Sequence, residues 1–239
     1  MDRDRSRPGR DTSGDGIRFE AVPKRDGETR WLTRLDPAGE AAYRRALAPI
    51  AGRIERMLGP EVIALRTRPA TGGWRLVSWR RARVRWLREI QAAIRSARRG
   101  TTFAVGDVRD CYGSIAPETL LEALGPRAAA AVDELRRFAD AGVRGLPVGP
   151  EPSAVLANAI LAELDRAVRG SGAAHVRWVD DLVLWGARGD VLRALAALEG
   201  AAARHGLALH EGKTRLLADR EELRSYALGS HDSSIIAAP

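Results

Sequence analysis

The sequence predicts an α+β fold, with helices layered on one face of a small antiparallel sheet. Three observations carry that expectation. Residues 175–178 and 182–185 are apolar and aromatic-rich stretches on either side of Val179-Asp180-Asp181, which reads as a β-hairpin with a tight acidic turn. Residues 101–105 read as a buried strand running into Gly106-Asp107. Around these strands, longer segments repeat apolar residues at three- and four-residue spacing, the period of an amphipathic helix.

In chain order, residues 1–16 hold Arg, Asp, Gly and Ser with almost no apolar content and are expected to be disordered. Residues 18–35 carry short apolar stretches broken by Lys24-Arg25-Asp26-Gly27, a hairpin-turn signal. Asp36-Pro37 starts a helix, Asp36 as N-cap and Pro37 in the first turn. Tyr43, Leu47, Ile50, Ile54 and Leu58 line one face of it up to Gly59-Pro60. Residues 61–65 read as a strand and 69–73 as a loop. From Ser78 the period is helical again, with Trp79, Trp86, Leu87, Ile90 and Ile94 as the apolar stripe and Gly100 as the stop. Arg80, Arg81, Arg85, Arg88 and Arg95 fall on its other faces. Such a face is either plain solvated surface or a nucleic-acid contact; charge of one sign beside tryptophans favours the contact. Helices are expected over 117–124, 127–141, 152–168 and 190–205, a rigid loop over 145–150, and short strands near 207–209 and 214–217.

A chain of 239 residues can bury one real core. Cys111 is the only cysteine, which excludes an internal disulfide and a cysteine-based zinc site. No apolar run approaches the ~20 residues that span a bilayer and the start is no signal peptide, so no membrane partner and a cytoplasmic location are expected. A formal charge of +8 points to a polyanionic partner. Of the 39 basic residues only Lys24 and Lys213 are lysine, which suits a GC-rich genome and makes Lys213 conspicuous. His175, His205, His210 and His231 have no metal-ligand spacing and read as structural or surface residues.

Asp107 closes one apolar strand, and Asp180 and Asp181 cap a hairpin. Taken alone, the acidic tip is a good turn. If the strands are neighbours, however, three carboxylates converge, repel one another and lose hydration unless a cation holds them. Mg²⁺ takes oxygen ligands and leaves room for substrate phosphates. Two such ions ~4 Å apart would serve phosphoryl transfer.

At this point the residues resemble a known family. Phe103-Ala-Val-Gly-Asp107-Val-Arg-Asp-Cys-Tyr112-Gly-Ser-Ile115 resembles motif A of reverse transcriptases, and Gly145-Leu-Pro-Val-Gly149-Pro-Glu-Pro-Ser153 with Asn158 resembles motif B. Trp178-Val-Asp180-Asp181 is similar to motif C, Leu207-Ala-Leu-His-Glu-Gly-Lys213-Thr214 to motif D, and Tyr226-Ala-Leu-Gly229 to motif E, the primer grip. Trp178 stands where the family usually has tyrosine and would brace the primer end; Val148 replaces a common glutamine, Cys111 an aromatic and His210 an asparagine. The form of motif B looks like that of bacterial defence-associated and abortive-infection-type members.

The resemblance implies a right-hand polymerase with fingers over 17–100 and a palm, a ferredoxin-like antiparallel sheet with helices, over 101–229. A thumb is expected to be absent or truncated, since only residues 230–239 follow; a thumb supplied by a partner or oligomer, a poorly processive enzyme and a chain that is a fragment are the alternatives. It implies an RNA-directed DNA polymerase adding dNTPs to a DNA or RNA primer on an RNA template, acting in antiviral defence. Two Mg²⁺ ions, with Mn²⁺ as substitute, would be held by Asp107, Asp180, Asp181 and the carbonyl of Val108. Lys213 would be the proton donor to pyrophosphate, because lysine can release a proton that arginine keeps. Tyr112 would be the steric gate against a ribose 2′-OH, its plain alternative a core tyrosine. Gly149 would lie close to the nucleotide, its alternative a plain turn. Arg66 would contact the triphosphate, and Arg80, Arg81, Arg85, Arg88, Leu228 and Gly229 nucleic acid. A protein partner or self-association would complete the grip. The rival readings are an RNA-dependent RNA polymerase, a template-independent polymerase, and a non-catalytic nucleic-acid-binding palm within a complex.

Overall fold

The computed structural model describes residues 16–23 and 27–229. The expected disordered start up to residue 15, the turn residues Lys24-Arg25-Asp26 and the tail with His231 lie outside them. Strand β1 (Ile17–Pro23) pairs antiparallel with β2 (Thr29–Leu35), as the broken apolar stretches predict. Helix α1 (Pro37–Met57) starts where the capping residues place it: Asp36 Oδ1 accepts the Gly39 amide at 2.7 Å. Tyr43, Leu47, Ile50 and Ile54 on its inner face are fully buried.

Two expectations fail in the next stretch. Residues 61–65 form no strand but one parallel bridge, Val62 to Arg177. Leu65 turns into the left-handed region (φ 57°), which ends the extended run. Where a loop is expected, β3 (Thr67–Ala70) and β4 (Gly73–Leu76) form a hairpin. Pro69 and the glycines mask its strand signal, yet a two-stranded ribbon has only edges, where proline is tolerated. Helix α2 (Trp79–Ser96) follows and stops four residues before Gly100.

Strand β5 (Thr102–Arg109) leads into α3 (Cys111–Ser114), α4 (Pro117–Leu124), a short 3₁₀ turn (Pro126–Ala128), α5 (Ala129–Asp140) and α6 (Glu151–Arg169). The acidic hairpin is β6 (Ala174–Trp178) and β7 (Asp181–Gly186); α7 (Arg188–Arg204), β8 (Ala208–Leu209), β9 (Arg215–Leu217) and α8 (Arg220–Gly229) complete the chain described. The antiparallel sheet runs β6-β7-β5-β8, with β9 also on β5.

The sheet is covered on both faces, not one. Ala104, Val108, Leu182 and Leu184 join the large core built with α1, α4, α5, α6 and α7. The alternate residues Phe103, Val105, Val176, Trp178 and Val183 form a second core with Trp86 and Ile90 of α2 and Leu223 and Ala227 of α8. Period two sends successive side chains to opposite faces, so a strand apolar at every position needs two covers. β5, reading Phe-Ala-Val, has that pattern.

Candidate active site

Pairing of β5 with β7 sets Asp107 opposite Asp181, and the two-residue turn Val179-Asp180 brings Asp180 alongside. The Val108 amide donates to the Asp180 carbonyl at 3.3 Å. All three expected carboxylates therefore gather at one place. Asp107 does not close its strand: β5 continues to Arg109, with β9 pairing residues 103–105 and β8 pairing 108–109. Between β8 and β9 the segment 210–214 bows out over Asp107. There the His210 amide donates to the Asp107 carbonyl (2.8 Å) and the Asp107 amide to Thr214 Oγ1 (3.3 Å). That bow carries Lys213, whose Nζ lies 3.7 Å from Asp107 Oδ2.

Burial and then the charge of Asp107 push Asp180 up to about 6, against the pull of Arg30 and Lys213. Burial, Asp180 and Asp107 push Asp181 well above the ordinary carboxylate value, opposed by the Tyr226 hydroxyl and Lys213. The cluster thus holds more negative charge than its own cations neutralise. Half-buried hard oxygen donors in that state fit a divalent cation such as Mg²⁺.

Tyr112 lies in the single turn of α3, half-buried against the large core. Burial pushes its hydroxyl up, Cys111 and Asp180 push it further, and Arg30 opposes them, so the ring sits within the field of the acidic site. The core tyrosine and the gate are here compatible. Gly149 has φ 128°, and a Cβ there would stand 2.8 Å from the Thr33 carbonyl, so glycine is required for this loop to reach β2. Next to it, the Thr33 amide donates to the Val148 carbonyl at 2.7 Å.

Two expectations need correction. Arg66 is engaged elsewhere: Nε binds Glu55 Oε1 (2.7 Å), Nη1 the Gly59 and Val62 carbonyls, and Nη2 the Leu58 carbonyl and Glu55. It ties Glu55 of α1 to the segment 58–62 that follows the helix, whose carbonyls accept from it. Trp178 is 3% exposed, edge-on between Trp79 and Trp86 at 5.9 and 6.0 Å, and so cannot brace a primer end. His175 is the structural one of its two alternatives, buried beside Asp165 of α6. Of the α2 arginines, Arg80, Arg81 and Arg88 are exposed and form no ion pair among the described residues, whereas Arg85 donates to the Pro60 carbonyl. Leu228 is 63% exposed and Gly229 exposed at the end of α8, with the Leu228 carbonyl accepting from Arg83.

The sequence reading missed three residues around the acids. Tyr226, the first residue of the motif E stretch, donates to Asp181 Oδ1 at 3.1 Å from α8. Arg30 projects its charge onto Asp180 and Tyr112 from β2. Arg177, fully buried behind the turn, donates to the Val179 carbonyl at 2.7 Å. Only an arginine in an apolar strand could have signalled the last; nothing local distinguishes Arg30 among so many arginines. Glu61, Asp165 and His175 bring ligand atoms within 4.8 Å of one another. That set is distinct from the aspartate cluster, and Arg169 and Arg177 already pair with its two carboxylates.

Residues 23–229 match the family model described as reverse transcriptase (RNA-dependent DNA polymerase). No curated protein matches the chain. Among the described residues no helix is long and apolar enough to cross a membrane.

Proposed function

The chain belongs to the reverse transcriptase family, and we propose that it is an RNA-directed DNA polymerase whose site is Asp107, Asp180 and Asp181. The observation that carries this reading is the meeting of three carboxylates on adjacent strands with more charge than Arg30 and Lys213 offset. Two Mg²⁺ ions, or Mn²⁺ in their place, would stabilise charge on the attacking and leaving oxygens when bound there. Asp107 and Asp180 would hold them, with Asp181, fixed by Tyr226, alongside and the Val108 carbonyl as a further ligand.

Lys213, with Nζ 3.7 Å from Asp107 Oδ2, would be the group that passes a proton to the pyrophosphate oxygen as the leaving group departs. Arg30, in place of Arg66, would hold the triphosphate, since its charge acts on Asp180 from the β1–β2 hairpin. Tyr112 would exclude a 2′-OH from the nucleotide sugar. The exposed arginines of α2 would track the backbone of template and primer. In this reading residues 17–100 serve as fingers and 101–229 as palm, and the form of motif B favours a role in antiviral defence.

The test is primer extension on an RNA template with Mg²⁺ and either dNTPs or rNTPs. Wild type should extend with dNTPs, and Asp107→Asn and Asp180→Asn should lose at least 100-fold in rate, the order lost with one electrostatic stabiliser. Preference for rNTPs would assign RNA synthesis, and undiminished extension by either variant would overturn the assigned site.

A further inference from the structure

We infer that Arg177 is a positioning residue of this site, which sets where Asp180 stands by holding the carbonyl of Val179; the inference rests on the polymerase reading. Arg177 has no exposed surface. A buried guanidinium is expensive unless its donors are used, and an apolar side chain would fill the same space without that cost. Here all three nitrogens of the fork are used. Nε and Nη2 clamp the Asp165 carboxylate at 2.8–3.0 Å, and Nη1 divides between Asn158 Oδ1 (2.9 Å) and the Val179 carbonyl (2.7 Å).

Asp165 and Asn158 lie seven residues apart on α6, two turns on one face, so the anchor is a rigid helix. Burial pushes Asp165 up, but Arg177 and His175 outweigh it and hold the carboxyl below its ordinary value. The clamp is therefore a charged one. Asn158 is fixed in turn, its Nδ2 donating to the Leu65 carbonyl at 3.1 Å.

What the clamp grips is unusual. Val179 is β-branched and sits at φ 56°, a backbone region such residues avoid and occupy only when their surroundings hold them there. Val179 immediately precedes Asp180, whose own carbonyl accepts the Val108 amide of the strand bearing Asp107. The peptide units on both sides of Asp180's nitrogen and carbonyl are thus tied, one to α6 through Arg177 and one to β5. The distance between the two carboxylates follows from those two ties. A strand residue that served packing alone would need neither the charge nor the bond to Val179.

The test replaces the charged pair with apolar residues, because removing Arg177 alone would strand Asp165. The double variant Arg177→Met with Asp165→Leu should fold, since such exchanges of buried pairs are often neutral or stabilising. Arg177→Lys serves as a second variant, keeping the charge but lacking the fork that reaches both Asp165 and Val179. Mn²⁺ binding is measured by titration calorimetry, with Asp180→Asn as the control that identifies the site, alongside kcat, KM for dNTP and Tm. In folded protein we expect Mn²⁺ affinity to fall about 10-fold or more, the effect of losing a group that orients ligands. We expect kcat to fall about 100-fold, the effect of a misplacement near 1 Å, with KM changed less than about threefold. Wild-type Mn²⁺ affinity and kcat in both variants would overturn the inference and leave the polymerase reading intact. Wild type that neither extends a primer nor binds Mn²⁺ through Asp180 would overturn both.

Discussion

Asp180 sits where burial and Asp107 both disfavour its charge, so the metal-free site opposes folding at neutral pH. A folded-state value raised to about 6 means that the native protein binds the proton more tightly than the unfolded chain does. Stability from this group is therefore highest at low pH and is lost as pH climbs through about 6. Asp180→Asn should accordingly melt above wild type by roughly 5 °C at pH 7.5 in EDTA. The difference should narrow at pH 5 and close only below about pH 4, where the unfolded carboxyl is protonated as well, and polymerisation should be lost; calorimetric scans at pH 7.5 and pH 3.5 check this, and a variant less stable at pH 7.5 would refute it. At Tyr112 the expectation is one of selectivity. Tyr112→Ala should raise the efficiency of rNTP use relative to dNTP use, and an unchanged ratio would reduce the ring to a core residue.

Among the elements, the β1–β2 hairpin governs what Arg30 can do. Besides β2's contacts with α1, the hairpin meets the loop before α6 through the Thr33 amide and the Val148 carbonyl, a close approach that Gly149 alone permits. A methyl group at Gly149 would stand 2.8 Å from the Thr33 carbonyl and force β2 away. Gly149→Ala is therefore expected to raise KM for dNTP several-fold with a smaller change in kcat, and Arg30→Ala to do the same. If Arg30→Ala leaves KM untouched, the hairpin takes no part in nucleotide binding. Gly145 makes a stronger demand on the same loop. At φ 64°, its Cβ would fall 2.4 Å from the Tyr112 carbonyl and 2.7 Å from the Gly113 backbone. Gly145→Ala should cost about 2–4 kcal/mol in urea unfolding, a strained backbone added to a clash that no side chain can relieve.

For the whole molecule the charge distribution matters more than the total of +8. Many surface arginines are paired with acids, as in Arg136, Arg137, Arg166 and Arg193, and so add little net field. Arg80, Arg81 and Arg88 on α2 form no such pair among the described residues. The triple variant Arg80→Ala, Arg81→Ala, Arg88→Ala should keep its fold, because those side chains are exposed. Its nucleic-acid affinity should depend less on salt, the log–log slope falling by about 2–3 if each arginine meets one phosphate. Binding measured across a salt series by anisotropy decides; an unchanged slope would move the interface to another face.

Much of this was open to reading from the chain alone. The helix from Asp36, the hairpin around Asp180, the buried strand before Asp107 and the order of the five motifs depend on neighbours within a few residues, where capping and period act directly. Lys213 belongs here too, as a rare lysine in an arginine-rich chain. What only the tertiary structure decided involves partners far apart in sequence. Hydrophobic period tells that a strand is buried but not what buries it, so α2 and α8 on the second face of the sheet were invisible, and with them Trp178's place between Trp79 and Trp86. Tyr226 reaches Asp181 across 45 positions, and Arg30 influences Asp180 from a separate hairpin. Arg66 departs from expectation for the same reason: its donors are taken by Glu55 and by carbonyls of the segment after α1, a demand that appears only once the chain has folded back. Chemistry-bearing residue types are a local property of a sequence, but the bonds that use up or aim each charge are made between elements.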